Sequence, residues 1–120
     1  MASAEVRSFD SPDETRPTAD RGRVEIVKLG SGTVGRVVSQ PGWRWSEHVK
    51  PIAGTESCQA PHIGYAVSGR LAYRMDDGTE GEIGPGDAFV LPPGHDAWVV
   101  GDEEVVQVDF NGMETYATPG

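Results

Sequence analysis

From Gly22 onward the chain alternates short β-branched and aromatic runs with glycine-centred breaks: "RVEIVKL", "TVGRVVS", "GYAVSG", "RLAYRM", "DAFVLP", "AWVV" and "EVVQVDF". Such residues suit a pleated, half-buried surface, and a period of two turns one face of each run inward. The pattern predicts seven or eight strands. Turn signals stand between them: "GSG" at 30–32, "SQPG" at 39–42, "DDG" at 76–78, "GPG" at 84–86, "PPG" at 92–94 and "GDE" at 101–103. No stretch shows the spacing of an amphipathic helix. Short strands with glycine-rich turns predict an all-β sandwich or barrel. "DDG" between "RLAYRM" and "TEGEI", followed by "GPGD", predicts a hairpin continued as a meander.

Residues 1–21 break this texture with two prolines, many charges and almost no apolar periodicity. They are expected to form a flexible or strap-like arm ahead of a single domain at 22–120. A chain of 120 residues sustains one core. Nineteen acidic residues against ten basic ones give a net charge of -9, which repels phosphate backbones and anionic bilayers. Neither nucleic acid nor membrane is an expected partner. The single cysteine has no intrachain disulfide partner, and no apolar run of signal or spanning length opens the chain, so the expectation is cytoplasmic.

"GDAFVLPPG", Gly86 through Pro92 to Gly94, resembles the start of the second motif of the cupins: Gly, five residues, Pro-x-Gly, two residues, His. "HIGYAVSGR" and the following "LAYRMDDGTEGEIGPGD" resemble the end of the first motif and the segment joining the two. The resemblance spans about residues 42–110. It implies an antiparallel double-stranded β-helix, a jelly-roll barrel with a funnel-shaped interior, commonly a homodimer. The ligand slots depart from the family pattern. Counting back from Gly69, His62 stands in the glutamate slot, Cys58 in the second histidine slot and Glu56 in the first. Counting forward from Gly42 the first histidine slot is His48, so "VKPIAGT" at 49–55 reads as an insertion. In the second motif the histidine slot holds Ala97, and His95 lies two residues earlier, expected at the barrel mouth.

In an extended chain Glu56, Cys58, Ala60 and His62 share one face, with Ile63, Tyr65 and Val67 on the other. All three histidines and the only cysteine thus fall in the two motif regions. Imidazoles with a thiolate suit a borderline-soft divalent ion, zinc first, with Fe(II) or nickel as alternatives. The expected ligands are His48, Cys58, His62 and His95, with Glu56 a further ligand or general base. Plainer roles compete: a lone cysteine usually packs as a small hydrophobe, and a buried histidine often satisfies a core carbonyl. Trp43 and Trp45 read as core or dimer-seam residues before pocket walls.

Three functions follow from this reading. The first is a metal-dependent oxygenase, isomerase or lyase acting on a small molecule. The second is a non-catalytic module sensing a small ligand or a metal, and the third a metal-free structural dimer. Fold alone does not choose among them.

Overall fold

The computed structural model describes residues 3–30, 32–111, 113 and 116–119. Nine strands and two single-turn helices follow one another along these residues: β1 (Glu14–Pro17), β2 (Gly22–Leu29), β3 (Gly32–Ser39), α1 (Trp45–His48), α2 (Lys50–Ala53), β4 (His62–Ser68), β5 (Arg70–Met75), β6 (Glu80–Ile83), β7 (Ala88–Leu91), β8 (His95–Val100) and β9 (Val105–Asp109). A six-stranded sheet has the order β1-β2-β3-β9-β4-β7, and a three-stranded sheet the order β6-β5-β8. Every pairing is antiparallel.

The period-two reading holds along the strands that build the interior. In β4, His62, Gly64 and Ala66 are buried while Ile63, Tyr65 and Val67 are exposed. In β8 the buried set is His95, Ala97 and Val99, and in β9 it is Val105, Gln107 and Asp109. These faces close over one core that includes Val24, Ile26, Trp43, Trp45, Leu71 and Phe89. Every strand therefore sends polar chemistry inward only where a strand position is given to it.

Two differences from the sequence reading have physical causes. Residues 45–53 form the turns α1 and α2, where no helix was predicted. Turns this short cannot display a helical period, and they are held from outside. Asp96 Oδ1 accepts the Ser46 N–H at 3.0 Å, and Gly54 ends α2 at φ 77°. The second difference concerns the meander. "DDG" does join β5 to β6 as a hairpin, with Leu71 opposite Ile83 and Arg74 opposite Glu80. After "GPGD", however, β7 crosses to the other sheet and pairs with β4, and β8 then returns to β5. That crossing winds the chain into a double-stranded helix, whereas a meander would have stayed in one sheet.

The segment expected as an arm or strap contains β1, which pairs along β2 from Glu14 opposite Ile26 to Pro17 opposite Arg23. The buried Arg16 guanidinium donates to the carbonyls of Met113 and Tyr116, at 2.8 and 2.7 Å. It thereby ties the end of the described chain onto the barrel. No helix among the described residues is long and apolar enough to cross a membrane.

Candidate metal centre

Three separate segments meet inside the barrel. Cys58 precedes β4 and is seated by an isolated bridge to His95, whose carbonyl accepts the Cys58 N–H at 2.7 Å. The Gly94 N–H donates in turn to the Cys58 carbonyl at 2.7 Å. Gly94 has φ 95°, a conformation that side chains rarely adopt, so this tight approach depends on glycine. His62 opens β4 opposite Leu91. Short contacts between segments, set by strand register, thus converge the side chains of Cys58, His62 and His95.

One ligand atom from each of the three lies within 4.8 Å of the other two, and all three residues are buried. Cys58 Sγ is 3.6 Å from His62 Nε2. Tetrahedral zinc, with its usual bond lengths to sulfur and nitrogen, sets these atoms about 3.6 Å apart. The pair already has ligating separation. His95 Nδ1 donates to the Pro92 carbonyl at 2.7 Å, so its Nε2 is the atom free to ligate. Behind His62, Nδ1 lies 3.2 Å from Oδ2 of Asp109, a residue with no exposed surface. The contact is an ion-pair approach without the alignment of a good hydrogen bond: His62 Nδ1 and both Asp109 oxygens lack a hydrogen-bond partner. A carboxylate behind a ligating imidazole orients the ring and strengthens it as a donor. The donor set fits a divalent metal.

Gly64 makes room for that carboxylate. A Cβ there would lie 2.7 Å from Asp109 Oδ1 and 2.9 Å from Phe89 Cζ, and would press on the Val108 carbonyl oxygen. Only glycine lets β9 bring Asp109 in beside His62.

The electrostatics are those of a charged pair. Burial resists ionisation of Cys58, but His62 and His95 outweigh it and lower the thiol pKa to about 6. Burial likewise disfavours the imidazolium of His62, yet Asp109 and Cys58 raise its pKa to about 9. Tyr116, whose ring stands edge-on to His62 at 4.9 Å, is pushed well above the usual phenol range by burial and by the charges of Cys58 and Asp109. It stays neutral.

The structure brings together three of the four expected ligands. His95, expected at the mouth, is 2 % exposed and inside. His48 is not part of the cluster. Its position was read from a strand, but α1 turns it away, and its Nδ1 accepts the Arg44 N–H at 3.0 Å. Glu56 is also elsewhere: its carboxylate is 97 % exposed and pairs with Lys50 at 3.1 Å, because the chain bends at residues 55–57. It lies outside the cluster. Asp109 and Tyr116 escaped the sequence reading. An acidic residue at an inward position of "EVVQVDF" was a usable signal for Asp109. Tyr116 follows the last strand and carried none.

Two cavities border the cluster. The inner one, about 20 Å³, is lined by His62 and His95 with Trp43, Trp45, Gln107 and Tyr116 among its walls. That is room for about one water. The outer one, about 350 Å³, reaches Cys58 between α2, residues 59–61 and residues 116–119. Trp45 and Tyr116 stand between the two.

No known sequence family matches the chain, and no curated protein does. Solved structures do. An uncharacterized conserved protein with a double-stranded beta-helix domain from Klebsiella pneumoniae is similar over 94% of this chain and 88% of its own, at 19% identity and TM-score 0.61. KdgF from Halomonas sp. matches over 92% and 94%, at 18% identity and TM-score 0.62. Bacillus subtilis oxalate decarboxylase OxdC, as its S161A mutant, matches over 87% of this chain and 29% of its own, at 18% identity and TM-score 0.59. With its two sheets, its crossing connections and these neighbours, the chain has the double-stranded β-helix fold, the cupin architecture that its two motifs resemble.

Proposed function

We propose that the protein binds one divalent ion through Cys58, His62 and His95 and uses it as a metal-dependent enzyme on a small molecule. The observation that carries this reading is the convergence of three buried donor atoms within 4.8 Å, one of them backed by a buried carboxylate. Zinc suits one thiolate and two imidazoles best, with Fe(II) or nickel as alternatives. Bound there, the metal would lower the pKa of a water or polarise a substrate oxygen, the chemistry of an oxygenase, isomerase or lyase. The protein's own contribution is positional. Asp109 orients His62, the Pro92 carbonyl orients His95, and Tyr116 remains a neutral wall against water. Three protein ligands leave a position open, which favours catalysis over a purely structural ion.

A cytoplasmic homodimer completes the proposal. Ile63, Tyr65, Val67, Val90 and Phe110 are each 47% exposed or more. Ile63 is opposite Val90, and the Phe110 N–H donates to the Ile63 carbonyl, so these residues adjoin on the outer face of one sheet. A second copy of the chain is the proposed cover. A module that senses a small ligand without turnover is the second reading, favoured by the alanine at the usual histidine slot, Ala97, inside the barrel.

Metal analysis of untagged protein tests the centre. The expected result is near-stoichiometric metal in the wild type, His48→Ala and Glu56→Gln, lost in Cys58→Ala and His62→Ala. A metal-free wild type after growth in supplemented medium would overturn it. For a cobalt-substituted sample, a spectrum that changes with added ligand would support an open position.

A further inference from the structure

The outer cavity is the feature that the metal chemistry leaves unused, and none of its described lining residues carries a cationic side chain. Among its described lining residues are Trp45, Val49, Ala60, Pro61, Tyr116 and Ala117, with Cys58 at its base. None of the described lining residues is Asp, Glu, Lys, Arg or His. The undescribed residues of the chain include no lysine or arginine. Lys50, on the helical turn that supplies Ala53 to the wall, is engaged by Glu56. Its volume, about 350 Å³, falls in the range of small-molecule sites.

We infer that this cavity binds an uncharged, largely apolar small molecule carrying one hydrogen-bonding group, which it presents beside Cys58. The inference rests on the metal reading for what happens to that group, and on the cavity alone for the class of molecule. Charge balance argues against an acid. The two positive charges of a divalent ion are matched by the Cys58 thiolate and the Asp109 carboxylate, so the loaded centre offers an anion no net attraction. A carboxylate entering the cavity would lose water and meet no cation in exchange. A neutral molecule loses little, and it gains apolar contact with Val49, Ala60 and Ala117. Thr55 and Gln59, also among the cavity's lining residues, supply polar partners for one hydrogen-bonding group.

The test uses the full chain, loaded with zinc and metal-free, titrated with benzamide against benzoate and phenylacetamide against phenylacetate, with binding read by amide shifts in NMR. The amides are expected to bind at least roughly tenfold more tightly than the matching acids, with shifts at Ala60 and Ala117. Ala60→Trp should abolish binding while metal content stays at the wild-type level. Gln59→Lys, which adds a cation at the rim, should narrow the preference several-fold. Acids binding as tightly as amides, or neither pair binding, would overturn the inference. If the amide preference persists in a protein that takes up no metal, the metal reading fails and the cavity assignment stands. If metal binds and the preference is missing, the reverse holds.

Discussion

His62 Nδ1 lies 3.2 Å from Asp109 Oδ2, with the carboxylate wholly buried, and this contact organises the donor atom that His62 turns toward Cys58. Asp109→Asn keeps the shape and removes the charge. Metal affinity, measured by competition with a chelator, is expected to fall about 10–100-fold while the fold is retained. An unchanged affinity would show that the carboxylate does not act through the ring.

Cys58 and His62 together set a pH dependence for the metal-free protein. Cys58 has its pKa lowered from 9.0 to about 6, so its contribution to stability is complete above 9.0 and lost as pH falls through about 6. His62 has its pKa raised from 6.5 to about 9, so its contribution is complete below 6.5 and lost as pH rises through about 9. From about 6.5 to 9 the His62 contribution falls while the Cys58 contribution grows, so their sum stays nearly level. Urea unfolding of metal-free wild type should vary little across that range, whereas Cys58→Ala, which keeps only the His62 contribution, should lose stability steadily as pH rises. A variant profile as level as that of the wild type would contradict the pairing.

Arg16 is expected to secure the closing segment. Each of its hydrogen bonds to the Met113 and Tyr116 carbonyls belongs to the charged, buried class worth about 1.5–3 kcal/mol. Arg16→Met should lower stability by at least that amount and speed hydrogen exchange at Tyr116 and Ala117. Exchange that stays as slow as in wild type would mean that packing alone holds the segment.

The exposed apolar face gives a separate test. Tyr65→Glu with Val90→Glu places two charges on adjoining strands, β4 and β7, at outward positions. The variant should fold and sediment as a monomer where the wild type sediments as a dimer. A monomeric wild type would remove the proposed partner.

The cluster itself shows how far the chain could be read without its fold. The strands were legible because short runs rich in β-branched and aromatic residues are separated by glycine-rich breaks that mark their ends. Cys58, His62 and His95 were legible as candidate donors because they occupy or adjoin motif slots. His48 was placed by motif spacing and Glu56 by motif spacing and alternation in an extended chain, and the fold sets both apart from the cluster. Residues 45–53 form helical turns and the chain bends at 55–57, and no periodicity reveals so short a turn.

Local pattern and residue chemistry are enough to specify the all-β architecture and the types of donor available. Which donors meet depends on the folded core. Cys58 reaches His95 through a bridge between segments 37 positions apart, and Asp109 reaches His62 because β9 lies beside β4 in the sheet and Gly64 leaves space. Register between distant strands is set by the packing of the whole core, so side chains 47 positions apart in the chain become neighbours only once that core has formed.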